Sequence, residues 1–193
     1  MQEIKYITIL LQEKDAFIAR TEEIGGGSML TEFGLCYPNI SDPLNKNTIE
    51  CNRVLDLADL HFQSWTYWDY GPFWNNNGEL NKDLASLFSR PYPLATSGIP
   101  RNLVYDFTKK EFKYEFLISN DTAVRLPTEI FVPPMIYPNH AFEVELSDDL
   151  EWKFSPVDSN IILITQTRPN VNATSGAFVK IRPDINISIS IVS

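Results

Sequence analysis

Three side chains in the first third of the chain have types suited to chemistry: Glu32 in "GGGSMLTEFG", and Trp65 and Trp68 in "FQSWTYWDYG". Met29, Leu30 and Phe33 read as a short buried strand between a glycine run and a Pro-Asn turn, which puts Glu32 near the end of an apolar run. Burying a charge there is costly unless something compensates it. From spacing alone, Glu32 is a candidate nucleophile, or it caps the turn or pairs with an arginine. Tryptophan offers a flat, polarisable face on which the apolar side of a ligand can stack. Trp65 and Trp68 are three apart, so in a strand they point to opposite faces and only one of them lines a given site. Asp69 and Tyr70 follow at the strand end. His61 ends a helical pattern and His140 sits in a Pro-Asn turn, positions that suit solvated or structural histidines.

The elements that must hold these residues follow a strand, helix, strand, helix order. "NTIECNRVLDLADLHF" sets Ile49, Val54, Leu55, Ala58 and Phe62 along one helical stripe, with Asn47 or Thr48 as the cap. "QSWTYWDYG" is strand-like and closes at Gly71-Pro72, and "KDLASLFS" reads as a short helix stopped by Pro91. This is the grammar of a parallel α/β unit. From Arg90 the grammar changes to about seven short strands separated by turn residues. Phe112, Tyr114 and Phe116 alternate with Glu111, Lys113 and Glu115 at the period of a half-buried strand. The expectation is an α/β part over residues 1–90 and an all-β part, an antiparallel β-sandwich, over 91–193. "RPYPLA" is the junction, where Pro91 and Pro93 fix the chain direction. Two parallel strands with two helices leave the second faces of the strands uncovered, so either another chain covers them or, as is expected here, the sequence is the tail of a longer protein.

Composition excludes several classes. With 193 residues, 44% of them hydrophobic, the chain can bury a core and lies outside the disordered range. A formal charge of -9 without clustered Lys and Arg argues against nucleic acid as a partner. No apolar run approaches the roughly 20 residues of a membrane span, and the N-terminal apolar stretch is too short for a signal peptide. Sequons at Asn39, Asn120, Asn172 and Asn186 lean towards a secreted or lysosomal history. Cys36 and Cys51 either pair or remain as two buried thiols.

In order along the chain, "GGGSMLTEFG", "FQSWTYWDYG", "LFSRPYPLATSGIPRNLVYD" and "PTEIFVPPMIYPN" resemble the C-terminal part of endoglycoceramidase-type glycoside hydrolases of family 5. The resemblance runs over nearly the whole chain from about residue 20. It implies a C-terminal fragment of a (β/α)8 TIM barrel, strands 7 and 8 with their helices, followed by a β-sandwich. It makes Glu32 the nucleophile of a retaining glycosidase at the end of strand 7, since barrel chemistry gathers at the C-terminal strand ends. Trp65 and Trp68 become candidate substrate-binding residues on strand 8. No metal or other cofactor is implied. The implied substrate is a glycosphingolipid cut between sugar and ceramide, with possible contact to a membrane surface.

Retaining hydrolysis needs a second carboxyl group about 5–5.5 Å from the first. The family carries it in an Asn-Glu motif, and no Asn-Glu dipeptide occurs here; Glu79 lies in a loop beyond strand 8 and is no substitute. The chain as given is therefore expected to be inactive by itself. Two other readings stand beside this one. The first is a β-glucosidase acting on glucosylceramide or steryl glucoside. The second is a non-catalytic module that binds glycan or lipid or braces a barrel, although its aromatics (Tyr105, Phe107, Phe112, Tyr114, Phe116, Trp152) alternate as core residues do.

Overall fold

The computed structural model describes residues 19–21, 23–42, 44–118, 126–167 and 176–184. Strand β1 (Met29–Gly34) leads through helix α1 (Lys46–Leu60) to β2 (Ser64–Trp68), which pairs parallel with β1. A 3-10 turn at Gly71–Phe73 and helix α2 (Lys82–Phe88) follow. The strand–helix–strand–helix order read from the sequence is present.

The cap of α1 differs from expectation. Asn45 fills it, its side-chain oxygen accepting from the Thr48 N–H at 3.1 Å. Thr48 cannot cap because it is buried and its hydroxyl is engaged by the preceding loop. That hydroxyl accepts from the Asn39 N–H at 2.8 Å and donates to the Asn39 carbonyl at 3.2 Å. The buried face of α1 is Thr48, Cys51, Leu55 and Ala58, a narrow stripe at three- and four-residue spacing. Ile49 and Val54 are only half-buried, and Phe62 lies beyond the helix and is exposed. Helix α2 starts at Asn81, whose side chain accepts from the Leu84 N–H at 3.2 Å.

The rest is β. Strands β4 (Gly98–Asp106), β5 (Glu111–Ile118), β10 (Gly176–Pro183) and β7 (Phe142–Leu146) form one antiparallel sheet in the order β4-β5-β10-β7. Strands β3 (Tyr92–Ala95), β6 (Thr128–Phe131), β9 (Ile161–Gln166) and β8 (Leu150–Phe154) form the other, in the order β3-β6-β9-β8. One hydrophobic core joins them, with Phe112, Tyr114, Val179 and Ile181 from the first sheet meeting Ile130 and Ile162 from the second. Each such fully buried side chain contributes about 1.5–3 kcal/mol. The outward alternates pair instead, Lys113 with Glu115 at 2.6 Å and Lys180 with Glu111 at 3.2 Å.

Among the described residues, the sandwich has one strand more than the sequence shows. Within "RPYPLA", the Tyr92–Ala95 segment is a strand, β3, at a sheet edge. Pro93 has no N–H to give to a ladder, so an edge is where a sheet accepts it, and the pairing with β6 shifts register just after it. Among the described residues, no helix is long and apolar enough to cross a membrane.

Candidate active site

The parallel pair β1–β2 has two unlike faces. On one, Phe33, Trp65 and Tyr67 pack with Phe73, Phe88, Leu55, Leu84 and Leu87 beneath the helices. The ring centroids of Tyr67 and Phe88 lie 4.7 Å apart and those of Trp65 and Phe88 5.5 Å apart. The Tyr67 hydroxyl accepts from the Cys36 N–H at 3.2 Å, and burial raises its pKa. The other face carries Ser64, Thr66 and Trp68, all exposed.

Register explains how β1 serves both faces. Leu30 is paired with Trp65 and Phe33 with Tyr67, so three steps on β1 match two on β2. This is a β-bulge, with Thr31 and Glu32 together opposite Thr66. It returns Leu30 and Phe33, three apart, to the same helix-facing side and leaves Thr31 and Glu32 exposed. The Thr66 hydroxyl donates to the Thr31 carbonyl.

The buried setting expected for β1 is therefore corrected. Met29 is 49% exposed and Glu32 is exposed too, because among the described residues β1 pairs only with β2 and its outer face has no cover. Glu32 lies two residues before the C-terminal end of β1, opposite the middle of its parallel partner β2.

Gly34 closes β1 directly opposite Trp68. A Cβ on Gly34 would lie 2.1 Å from the Trp68 carbonyl oxygen, so only glycine permits this approach. The Trp68–Asp69 peptide is cis. Trp68 is 65% exposed on the Glu32 side, whereas Trp65 belongs to the aromatic cluster under the helices. The two tryptophans thus point to opposite faces. The Asp69 side chain accepts from the Gly71 N–H at 2.8 Å and shapes the turn, and Tyr70 is exposed. His61 is the C-terminal cap residue of α1, and the His140 ring lies 5.0 Å from that of Phe154. Neither histidine belongs to this site.

Two features brace the strand ends. A disulfide joins Cys36, two residues after β1, to Cys51 on α1, with the Cα atoms 5.9 Å apart, which closes the alternative of free thiols. Farther out, the buried Arg90 side chain reaches Asp59 at 2.6 Å, Asp56 at 2.8 Å and the Asn52 carbonyl at 3.3 Å, all on α1. Sequence reading passed over Thr66, Gly34 and Arg90. The spacing of Leu30 and Phe33, three apart and both apolar, is the one signal that a bulge interrupts β1. No group of three or more His, Cys, Asp or Glu side chains able to hold a metal occurs among the described residues.

Residues 90–182 match the glycoside hydrolase family 5 C-terminal domain. That match spans just under half of the chain. The chain is also 34% identical to endoglycoceramidase I of Rhodococcus hoagii over 134 residues, which is 66% of this chain and 23% of that protein. Endo-glycoceramidase II from Rhodococcus sp., solved as a lactosyl-enzyme intermediate, shares the fold with a TM-score of 0.61 at 22% identity. That match covers 88% of this chain and 37% of the solved one. Sterylglucosidase 1 of Cryptococcus neoformans shares it with a TM-score of 0.55 at 17% identity, over 74% of this chain and 25% of that one. The resemblance to the C-terminal portion of endoglycoceramidase-type family 5 enzymes is borne out. The chain spans about a quarter of the curated relative it matches.

Proposed function

We propose that this chain is the C-terminal portion of a retaining glycoside hydrolase that cleaves the β-glycosidic bond between sugar and ceramide in glycosphingolipids. Residues 1–90 would supply strands 7 and 8 of the barrel with their helices, and residues 91–193 the sandwich. Glu32 is the nucleophile. The observation that carries this reading is the position of Glu32: exposed, two residues from the C-terminal end of a parallel strand, on the open face that also carries the exposed Trp68. Such strand ends are where a barrel gathers its chemistry.

The mechanism follows from that position. The Glu32 carboxylate attacks the anomeric carbon, and the bond to the ceramide oxygen breaks as that oxygen takes a proton from the second carboxyl group. Water then hydrolyses the glycosyl ester with the second group acting as base. A lactosyl-enzyme intermediate is the state named for the solved endo-glycoceramidase II, which supports a covalent step. The second carboxyl group is not assigned to any residue of this chain, so its 193 residues alone should not turn over substrate. Trp68 provides the sugar platform. Trp65 has the chemistry for one, but its packing under the helices favours a supporting role.

Exposed Tyr37, Leu44, Tyr70 and Trp74 in the loops after β1 and β2 offer apolar surface for a lipid moiety or a membrane surface. The likeness to sterylglucosidase 1 supports a second reading, a β-glucosidase on a steryl glucoside or on glucosylceramide. A non-catalytic glycan-binding sandwich is disfavoured, because Tyr105, Phe112, Tyr114 and Phe116 are buried in the core and Phe107 and Trp152 pack against it. The disulfide and the exposed Asn39 sequon support a secreted or lysosomal location; Asn120, Asn172 and Asn186 lie outside the described residues. The test is hydrolysis of lactosylceramide, glucosylceramide and a steryl glucoside by the full-length protein. Release of intact lactose from lactosylceramide supports the first reading, and activity on monoglucosides alone supports the second.

A further inference from the structure

We propose that Thr66 is a positioning residue for Glu32, acting through the β-bulge in β1. The proposal rests on the reading of Glu32 as nucleophile.

A regular strand at this point would leave no way to keep both Leu30 and Phe33 on the helix-facing side, since residues three apart point to opposite faces. The bulge resolves this by setting Thr31 and Glu32 together against Thr66. A bulge locally disrupts the ladder and leaves the extra residue without its ladder partners. The Thr66 hydroxyl supplies a partner, donating to the Thr31 carbonyl across 35 residues of sequence. That bond pins the peptide immediately before Glu32. The rotation of this peptide sets where the Glu32 Cα–Cβ bond points, and so where its carboxylate stands. Below the bulge, Phe33 is fixed by Trp65 at 5.7 Å and Tyr67 at 5.4 Å. Beyond it, Gly34 lies directly against the Trp68 carbonyl. Glu32 is therefore held on its C-terminal side by packing and on its N-terminal side by one hydroxyl.

The step this serves is nucleophilic. A Glu32 oxygen bonds to the anomeric carbon while the bond to the leaving oxygen breaks, the electron pair departing with that oxygen. A displacement of about 1 Å in a reacting group costs on the order of 100-fold in rate. Loss of the bond should thus lower the rate of glycosyl transfer while leaving sugar binding nearly intact.

The test uses the full-length protein and 2,4-dinitrophenyl 2-deoxy-2-fluoro-β-lactoside. Its leaving group departs as the phenolate without needing a proton, so the rate of inactivation reads the nucleophilic step alone. Thr66→Val keeps the shape and removes the hydroxyl; Thr66→Ser keeps the hydroxyl. The expected result is a fall in the limiting inactivation rate of Thr66→Val by roughly 10- to 100-fold. Its half-saturating concentration should shift by less than about threefold, Thr66→Ser should restore the rate to within about threefold, and the label should remain on Glu32. Melting temperatures of both variants are measured alongside. If Thr66→Val is too unstable to assay, Thr66→Ser decides: a large loss there overturns the proposal, and a near-normal rate supports it. Labelling of Glu32 at an undiminished rate in a folded Thr66→Val overturns the positioning role and leaves the nucleophile in place. A label on any other peptide overturns the nucleophile reading, and the positioning role with it.

Discussion

The guanidinium of Arg90 lies over the ring of Tyr105, 5.3 Å from its centroid, while its nitrogens bond to Asp56 and Asp59 on helix α1. Arg90 follows α2, and Tyr105 is a core residue of sandwich strand β4. This one side chain therefore ties the helix behind the candidate nucleophile to the sandwich. Arginine suits the place because its planar fork serves several acceptors while its face stacks on an aromatic ring.

Removing Arg90 should be costly. Its side chain is 5% exposed and that of Asp59 16%, so Arg90→Met leaves a nearly buried carboxylate without its cation. The loss should be about 3–5 kcal/mol, and Arg90→Lys should recover only part of it. Chemical unfolding of the full-length protein measures this; a loss below about 1 kcal/mol would show that the ion pairs are not needed for stability.

Asp56 gives a pH dependence with a defined sign. Burial pushes its carboxyl above the ordinary value, outweighing the neighbouring Arg90. The folded chain then binds this proton more tightly than the unfolded chain does. Between the ordinary and the raised value, the contribution of Asp56 to stability should fall as pH rises, and it should be constant above that window. In Asp56→Asn that slope should vanish, so the stability difference between wild type and variant should change with pH only inside the window. A difference that is flat through acidic pH would contradict the assignment.

The disulfide should matter for both stability and the site. Cys36 and Cys51 close a loop of sequence separation 15 between the end of β1 and α1. Replacing both with serine should cost about 2–4 kcal/mol. Thiol labelling of the unfolded, unreduced protein should find neither cysteine free; quantitative labelling of both would refute the pairing.

Gly34→Ala should injure the site without touching its chemistry. The new methyl group would fall on the Trp68 carbonyl, and that backbone has to move. Overpacking of this kind costs about 1–3 kcal/mol, and the displacement of Trp68 should raise KM for the glycolipid. Unchanged KM and melting temperature would mean that β2 yields freely at this point.

Much of this architecture is legible in the residues, and the parts that are not have physical reasons. The sandwich core is visible because inward aromatics and outward charges alternate, as in Phe112 to Phe116, and burial leaves little choice of face. The helix behind the site is visible from Leu55 and Ala58, but its cap is not. Asn45, Asn47 and Thr48 all have capping chemistry, and the burial of Thr48 decides among them. Edge strand β3 is hidden by Pro93, which reads as a breaker until the edge makes it harmless. The exposure of Glu32 was not legible, since an apolar run looks buried whether or not anything covers it. The role proposed for Thr66 depends on register, which couples two strands 35 residues apart. A single sequence does not record register.

The most direct measurement is mass-spectrometric mapping of the covalent label in the full-length protein treated with the fluorolactoside, alongside Glu32→Gln. The expected result is a single lactosyl adduct on the peptide carrying Leu30, Thr31, Glu32, Phe33 and Gly34. Glu32→Gln should take no label, lose lactosylceramide hydrolysis by several orders of magnitude, and melt close to wild type. A label on another peptide, or near-normal hydrolysis by Glu32→Gln, would contradict the nucleophile assignment.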